Sequence, residues 1–498
     1  ETCWCIEHAD CAGVLVDGSN YYRAFYRAAE RAQRSLLIAG WQFNSDAVLL
    51  RGVDAERAAM PLELMTFLDA LSRKKPELSV YILAWDFNPV FALEREWMQS
   101  VRFHLGTPAN VQFSFDGVHP VGASHHQKFV VIDQTVAFVG GMDIANGRWD
   151  DRRHLAENPL RSEAGVPQKP YHDSMAYVTG PVARKLAEQF VARWVAATGE
   201  SFPSAPAPEP SDATFEGELP IAGHDVAISR TWHTTDACIT EVQALFTRAV
   251  ESAEHTIYLE TQYLTSRVVL EALLRRIKDR QRAPLNMVVV MPDDADTPKE
   301  RFALGQLQLE VIESLCKAAE GCSLLRLFVS KPAGADEHAS ATYIHSKILI
   351  VDDRLLCVGS ANTTNRSLSL DSELCLSWET NNPDSLLGRS IARIRAELLA
   401  EHSGETPDVD FFGCEGLIAR LDQLLASGRS RLRQRPRGTP LGIESAVNWS
   451  RLFDPEKPLT ELEWSEVVSL GALLPDTAPE SGARENTQSP LSATSVAR

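Results

Sequence analysis

The chain contains the stretch SHHQKFVVID at residues 124–133 and the similar stretch IHSKILIVDD at residues 344–353. Each has a histidine, a lysine two positions later and an aspartate seven positions after the histidine, and the two histidines lie 219 positions apart. Four apolar residues separate the lysine from the aspartate in both copies, which predicts a short buried strand. A motif that returns at such a distance predicts two equivalent structural units in one chain.

Neighbouring segments repeat at about the same spacing. Apolar runs that predict strands and segments that predict helices occur in matching order around each motif. The matching pairs are Leu36–Trp41 with Ile257–Gln262, Leu78–Asp86 with Leu285–Asp293, and Val182–Trp194 with Leu386–Glu401. Strands that alternate with helices are typical of an α/β fold with covered sheets. We therefore predict two α/β sandwich lobes related by a pseudo-twofold axis, with the active site at their interface.

Composition suggests where these units begin and end. Four prolines in the nine residues 202–210 predict an extended connection between the lobes. The expected organisation is a first lobe over residues 1–200, a linker over 201–228, a second lobe over 229–402, a C-terminal extension over 403–475 and a disordered tail over 476–498. In the extension, Leu417–Leu425 predicts an amphipathic helix, and the arginines of Arg429–Arg437 are interpreted as a solvated segment.

Charge and composition restrict the kinds of partner. The 498 residues carry a net charge of −18, which disfavours binding to nucleic acid. No apolar run is long enough to cross a bilayer, so we expect a soluble, monomeric protein, either cytoplasmic or delivered by secretion. Nine cysteines, mostly in apolar segments, are typical of a reducing compartment. Cys3, Cys5 and His8 lack the further ligands that a metal site needs.

Alternation along a strand separates the residues of the doubled motif by role. Side chains at positions i and i+2 share a face, so the histidine and the lysine project together. The aspartate stands at an odd offset and is expected to face away, where it holds the motif through ion pairs or hydrogen bonds to loop amides. The residues concerned are His126, Lys128 and Asp133 in the first copy and His345, Lys347 and Asp352 in the second.

A second predicted strand follows each motif and ends in small residues. Four positions there are expected to contact the substrate: Gly141, Asp143, Ser360 and Asn362. Glycine lets a backbone approach a ligand closely. The amide of Asn362 could donate to a phosphoryl oxygen, whereas Asp143 is an acceptor suited to a lysine or to a leaving hydroxyl group.

Together these residues suit the cleavage of a phosphodiester without a metal or other cofactor. One neutral imidazole attacks phosphorus and the other, protonated, donates to the leaving oxygen, which gives a phosphohistidine intermediate. The lysines neutralise charge in the transition state. Each imidazole needs an acceptor at its far nitrogen, and Asp173 and Glu373 are the candidates because each begins a strand-like run at an equivalent place. His125 is expected to be packed, and His172 either to be packed or to line the cleft.

These motifs resemble those of the phospholipase D superfamily, in particular its eukaryotic-type phospholipases. The resemblance covers residues 32–402 and includes, besides the doubled motif, the segments Gly140–Asp143, Gly147–Asp150, Tyr171–Asp173, Glu260–Tyr263 and Gly359–Ser367. It implies the phospholipase D fold and hydrolysis of phosphatidylcholine-like lipids to phosphatidic acid and free headgroup, with transfer to alcohols and without metal. By the family's usual assignment, His126 is the nucleophile and His345 the acid, although the near symmetry of the two halves permits the reverse and the sequence leaves the choice open.

The resemblance has departures and leaves alternatives. Thr261 stands where the family often has asparagine, and no calcium-binding or phosphoinositide-binding module is seen before residue 32, so control by either is not expected. A lipid substrate implies peripheral contact with a membrane or micelle surface. The alternatives are a nuclease or other phosphodiesterase, a phosphatidyltransferase, and a non-catalytic lipid-binding protein on the same fold. The sequence leaves headgroup and acyl preference open.

Overall fold

The computed structural model describes residues 1–86, 96, 99–202, 213–233, 237–295, 297–320, 324–336, 339–435 and 452–473. The predicted proline-rich connection falls mainly on residues 203–212, and the predicted disordered tail covers residues 476–498. Both lie outside the described residues and stay predictions.

Two sheets form the body of the molecule, and each takes its strands mainly from one half of the chain. The first sheet, in spatial order, consists of β12 (Glu218–Pro220), β2 (Ala12–Val16), β11 (Ser174–Thr179), β7 (Val136–Gly140), β6 (Phe129–Ile132), β3 (Ser35–Gly40), β4 (Ser79–Trp85) and β5 (Val111–Asp116). The second consists of β1 (Cys5–His8), β13 (Asp225–His233), β21 (Glu373–Glu379), β20 (Leu355–Gly359), β19 (Ile348–Val351), β15 (Thr256–Glu260), β16 (Asn286–Val290), β17 (Leu324–Ser330) and β22 (Leu432–Gln434), with β14 (Cys238–Thr240) paired to β13.

Helices cover both sheets. Those of the first half are α1 (Asp17–Arg31), α2 (Val53–Glu56), α3 (Leu64–Lys74), α4 (Gln99–Gly106) and α5 (Pro181–Thr198). Those of the second half and the extension are α6 (Glu241–Ser252), α7 (Arg267–Lys278), α8 (Pro298–Ala319), α9 (Asn365–Ser369), α10 (Leu386–Ser403), α11 (Leu417–Ala426) and α12 (Glu461–Leu473). Short pairs complete the fold: β8 (Ser162–Glu163) with β9 (Val166–Pro167), and β10 (Tyr171–His172) with β18 (Tyr343–Ile344). Among the described residues, every helix is too short or too polar to cross a bilayer.

The two sheets share one topology, which confirms the predicted α/β fold with a repeated unit. Seven strands of the first sheet, from β2 through β11, β7, β6, β3 and β4 to β5, have counterparts in the same order from β13 to β17. One continuous apolar core joins the sheets, and it includes Val131 and Phe190 from the first half and Ile350 and Leu398 from the second. Because the lobes share this core, they form a single body rather than two independent domains.

The edge strands depart from the expected domain boundaries. β1, at the start of the chain, pairs with β13 in the second sheet, and β12, from the expected linker, pairs with β2 in the first. β13 itself begins at Asp225, inside the expected linker. An edge strand has unpaired backbone groups, so a passing segment of either half can complete it. In the arginine segment Arg429 and Arg433 are exposed, as expected, whereas Arg431 and Arg435 are half-buried. β22 pairs with β17, and Arg435 donates to the carbonyl oxygen of Pro292 at 3.1 Å. Residues 436–437 lie outside the described residues.

The motif strands are shorter than the alternation argument assumed. β6 runs from Phe129 to Ile132, so His126 and Lys128 precede it and Asp133 lies in the turn that follows, with a φ of 49°. The aspartate points away from the cavity because the chain turns there, and not because of strand alternation. Its counterpart Asp352 has a φ of 53°.

Candidate active site

The two motif histidines are held by carboxylates from opposite lobes. Nδ1 of His126, in the first lobe, lies 3.0 Å from both carboxylate oxygens of Glu373 in the second. Nδ1 of His345, in the second lobe, lies 2.6 Å from Oδ2 of Asp173 in the first. This arrangement leaves Nε2 of each ring for chemistry, because a carboxylate at Nδ1 favours a proton on that nitrogen. The structure thus places both predicted acceptors against the imidazoles, in crossed pairs.

Backbone hydrogen bonds fix this crossing. The amide of His345 donates to the carbonyl oxygen of His172 at 2.8 Å, where β18 runs parallel to β10. The amide of His126 donates in the same way to Ser372 at 3.0 Å. In each case the acceptor immediately precedes the carboxylate residue in the sequence, so the pairing of main chains also pairs the side chains.

Each motif lysine is held by an oxygen acceptor near its own histidine. Nζ of Lys128 lies 3.2 Å from the carbonyl oxygen of His126 and 3.5 Å from Oδ2 of Asp143, as expected for an acceptor at that position. Nζ of Lys347 contacts the carbonyl oxygen of His345 and lies 3.3 Å from Oε1 of Gln262. Lys347 is 3% exposed, so its ammonium group is held beneath the cavity surface.

Burial favours uncharged forms at both histidine pairs. Burial, reinforced by the two lysines, holds the pKa of His126 well below its usual range, and burial with Lys347 does the same for His345. Burial raises the pKa of Asp173 to about 6 and that of Glu373 to about 8, and it lowers that of Lys347 to about 7. Because burial raises the pKa of Glu373 more than that of Asp173, the pair of His126 with Glu373 holds a proton more readily than the pair of His345 with Asp173.

The motif aspartates serve the framework. Asp133 accepts hydrogen bonds from the backbone amides of residues 33, 34 and 35, and Asp352 from those of residues 254, 255 and 256, all at 2.7–2.9 Å. Each therefore ties its motif hairpin to the start of the neighbouring strand, β3 or β15. Neither lines the cavity that contains His126 and His345.

Two positions expected to contact the substrate contact the orienting carboxylates. A Cβ atom on Gly141 would lie 2.3 Å from Oδ1 of Asp173, so glycine there makes room for that carboxylate. The hydroxyl of Ser360 donates to Oε2 of Glu373 at 2.5 Å. Neither residue lines the cavity. Each directly follows a strand, β7 or β20, and packs against the carboxylate that contacts the histidine of the other motif. Asp143 and Asn362 do line the cavity, and substrate contact by all four residues stays a prediction.

One cavity brings the reactive groups together. His126, Lys128, Asp143, His345 and Asn362 line it. Further lining residues were not predicted as site residues: Gln42, Arg148, Gln262, Arg366, and the apolar side chains of Trp41, Trp85, Leu452, Phe453, Leu459, Trp464 and Val467.

A repeat signal marks two of the missed residues. Gln42 and Gln262 each follow the first strand of their motif sheet by two residues, after β3 and β15. Oε1 of Gln262 accepts a hydrogen bond from the side-chain amide of Asn362 at 3.4 Å and another from Nζ of Lys347. Gln262 therefore links Asn362 to Lys347. Comparing the halves residue by residue would have found this pair.

Among the described residues, two overlapping buried groups of side chains could hold a metal ion: one consists of Asp17, His154, His172 and Glu401, and the other of His172, Glu260 and His402. One ligand atom from each of Asp17, His154, His172 and Glu401 lies within 4.8 Å of the others, and all four side chains are buried. Although burial opposes charge, the carboxylates raise the pKa of His154 to about 10 and that of His172 well above its usual range. The protonated imidazoles therefore offset the negative charge of the neighbouring carboxylates. His172 is packed in this cluster and does not line the cavity.

Comparison with known proteins agrees with the doubled fold. The family profile described as phospholipase D matches residues 109–216, and that described as cardiolipin synthase, PLD-like domain, matches residues 246–394. The solved structure of phosphatidylserine synthase from Haemophilus influenzae Rd KW20 superposes with a TM-score of 0.52 at 12% identity, covering 94% of this chain and 95% of that one. This likeness shows the fold alone.

Curated relatives match most of the chain. Phospholipase D A of Dictyostelium discoideum is 25% identical over 80% of this chain and 36% of its own length. Phospholipase D2 of Bos taurus is 25% identical over 73% of this chain and 48% of its own length. The chain thus spans between about a third and a half of these relatives. It is a two-lobed α/β protein with the candidate active site between the lobes. The chain belongs to the phospholipase D superfamily and has two phospholipase D-like domains.

Proposed function

We propose that this protein is a phospholipase D that hydrolyses the distal phosphodiester of phosphatidylcholine-like glycerophospholipids to phosphatidic acid and free headgroup. The observation that carries the proposal is the pair of imidazoles, each held at Nδ1 by a buried carboxylate of the opposite lobe, in one cavity with Lys128. The names of its curated relatives support the same activity. The protein meets its substrate as a monomer in peripheral contact with a membrane or micelle.

The geometry suits a reaction in two steps. Nε2 of one imidazole attacks phosphorus, the bond from phosphorus to the headgroup oxygen breaks, and the opposite imidazolium gives its proton to that oxygen. Water, or an alcohol, then attacks the phosphohistidine while the second imidazole, now neutral, takes its proton, and the phosphorus–nitrogen bond breaks. Lys128 and the amide of Asn362 stabilise the negative charge on the phosphoryl oxygens in both steps.

The pKa values of Asp173 and Glu373 suggest which histidine is the nucleophile and which is the general acid. The resemblance to the family implies that His126 is the nucleophile. The pair of His345 with Asp173, however, loses its proton more readily, while the pair of His126 with Glu373 holds a proton more readily. We therefore propose His345 as the nucleophile and His126 as the acid.

A leaving-group comparison distinguishes these roles. p-Nitrophenolate needs little protonation to leave, so loss of the acid is partly rescued on a phosphatidyl ester in which p-nitrophenol replaces the headgroup alcohol, whereas loss of the nucleophile is not. We expect His126→Ala to retain activity on this substrate and His345→Ala to lose it. Retention by His345→Ala alone would restore the assignment implied by the family.

Transfer to alcohol tests the function itself. The protein is incubated with phosphatidylcholine, a chelator and 1-butanol, and the lipid products are separated. We expect phosphatidic acid and phosphatidylbutanol from the wild-type protein and neither from the double variant His126→Ala/His345→Ala. Cleavage of plasmid DNA without any product from phospholipids would reject the proposal in favour of a nuclease.

A further inference from the structure

Part of the apolar lining of the active-site cavity comes from outside the repeated lobes, and the rest includes Trp41, Trp85, Ala303 and Leu304 of the lobes. We name residues 452–473, which include α12, the C-terminal strap. Five of its side chains line the same cavity as His126 and His345: Leu452, Phe453, Leu459, Trp464 and Val467. Building on the proposed phospholipase activity, we propose that the strap binds the hydrocarbon chains of the lipid whose phosphate reaches the two imidazoles. It thereby selects substrates that carry acyl chains.

A buried carboxylate fastens the strap to the second lobe. Asp454 is 1% exposed and accepts hydrogen bonds from the hydroxyl of Thr265 at 2.6 Å and the side-chain amide of Asn365 at 2.8 Å. It also accepts from the backbone amides of Asn365 and Arg366, at 3.1 and 2.8 Å. Buried carboxylates with this many donors hold a segment in one position.

The strap is also fastened to the first lobe, close to the first motif. The amide of Leu459 donates to the carbonyl oxygen of Val121 at 3.0 Å. Gly122 has a φ of 83°, and a Cβ there would lie 2.9 Å from the Leu459 side chain, so glycine permits this close approach. Arg366, in the second lobe, connects the strap with both lobes. It donates to the carbonyl oxygen of Gly122 in the first lobe at 2.9 Å and to that of Phe453 in the strap at 3.3 Å. The strap therefore crosses the junction of the two lobes.

The lining of the cavity combines polar groups with apolar side chains. The imidazoles and Lys128 are among the polar groups, and the strap, with Ala303 and Leu304 of α8, supplies apolar side chains. A glycerophospholipid has the same combination of a phosphate with acyl chains, and contact with water is lost when apolar surfaces meet. The presence of both kinds of group in one cavity is what assigns the hydrocarbon chains, rather than another apolar ligand, to the strap.

The strap helix presents one face to the cavity and another to solvent. Hydrogen bonds between Thr460 and Glu463 form a capping box that starts α12. Val467 is 6% exposed and packs with Trp464, whereas Leu462 on the same helix is 72% exposed. Leu462 thus provides a matched control for a substitution at Trp464.

The test compares two substrates that share a phosphocholine headgroup. One is a short-chain phosphatidylcholine kept below its critical micelle concentration, and the other is p-nitrophenyl phosphocholine, which has no acyl chain. We expect Trp464→Ala to lower the ratio of kcat/KM for the lipid to that for the soluble diester by at least ~10-fold, the scale of losing a large apolar contact. Leu462→Ala should change the ratio by less than about 2-fold, as expected for an exposed position.

The outcomes are distinct. Equal losses on both substrates by Trp464→Ala, or an unchanged ratio, would overturn the inference. A loss on vesicles but not on the dissolved lipid would also overturn it, since the strap would then attach the protein to membranes. Trp464→Leu keeps an apolar side chain, so its ratio of kcat/KM for the lipid to that for the soluble diester should stay close to that of the wild type. Thermal unfolding checks that both variants at Trp464 fold. If the wild-type protein cleaves only the soluble diester, the proposed phospholipase function itself fails.

Discussion

At the scale of single residues, the site depends on two crossed histidine–carboxylate pairs. Nδ1 of His126 lies 3.0 Å from both oxygens of Glu373, whereas Nδ1 of His345 lies 2.6 Å from one oxygen of Asp173. The serine hydroxyl that contacts Glu373 is replaced by Gly141 next to Asp173. Burial raises the pKa of Glu373 to about 8 although the hydroxyl of Ser360 lowers it, and burial raises the pKa of Asp173 to about 6.

Substitution of one orienting acid tests this dependence. Asp173→Asn keeps the shape of the side chain but removes the charge that holds a proton on Nδ1 of His345. We expect kcat to fall by roughly 10³–10⁴-fold, the loss seen when a histidine is left in the wrong tautomer. Turnover of p-nitrophenyl phosphocholine is the measurement, and Asp225→Asn, at an exposed position, is the control. A loss below about 10-fold would show that the carboxylate does not orient the ring.

The pH dependence of kcat/KM should be bell-shaped. Below about 6 the pair with Asp173 takes up the proton that blocks its nucleophilic nitrogen, so the rate falls as the pH is lowered. Above about 8 the pair with Glu373 loses the proton that the leaving group needs, so the rate falls as the pH is raised. With the phosphatidyl ester of p-nitrophenol the alkaline limb should weaken, because that leaving group needs little protonation. A rate that keeps rising above pH 8 with phosphatidylcholine would contradict this assignment of protons.

At the scale of secondary-structure elements, the motif hairpins are set by their aspartates. Asp133 caps three amides at the start of β3, and Asp352 does the same at β15, each from a turn with positive φ. The sequence predicted this structural role, although the mechanism is the turn rather than strand alternation. Apolar runs identified β6 and β19 because their residues are buried on both faces. Edge strands β1 and β12 carried no such signal, since their pairing depends on which edge lies nearby.

Removing this cap should affect stability more than catalysis. Asp133→Ala leaves three amides without their acceptor and puts alanine at positive φ, so we expect the free energy of unfolding to fall by about 2–4 kcal/mol. Asp133→Asn keeps one acceptor oxygen and tolerates that φ, and it should cost about half as much. Urea unfolding measures both, and kcat per folded molecule should stay within about 3-fold of wild type. Full stability with abolished turnover in Asp133→Ala would show instead that the aspartate takes part in the chemistry.

At the scale of the whole molecule, the active site exists only while the lobes are docked. The buried cluster around His172 lies behind this docking, because the carbonyl oxygen of His172 holds the amide of His345. Arg152 of the first lobe reaches Glu401 at 2.5 Å and Glu397 at 3.2 Å, both on α10 of the second. Catalytic geometry and lobe docking therefore share one set of contacts.

Arg152 offers a test of this coupling. Arg152→Met leaves the buried Glu401 without its guanidinium partner, and since Arg152 is partly exposed we expect a loss of about 2–3 kcal/mol in the free energy of unfolding. Turnover should also fall, because His345 is positioned through the same interface. Arg153→Met is the matched control, since that exposed side chain bonds to Asp151 within its own lobe. Equal effects of the two substitutions on stability and turnover would show that the contact of Arg152 with Glu401 does not couple lobe docking to catalysis.

The sequence by itself determined the class of fold and the doubled unit, and it predicted the histidines, the lysines and the acids that the structure places beside them. It could do so because local patterns, such as a buried strand beside a histidine and a lysine, are encoded by neighbouring residues. Only the tertiary structure decided that each imidazole takes its acid from the opposite lobe, that Gly141 and Ser360 contact those acids, and that residues 452–473 close the cavity. These facts depend on contacts between residues hundreds of positions apart, and backbone pairing between the lobes, which no local pattern specifies, brings them together.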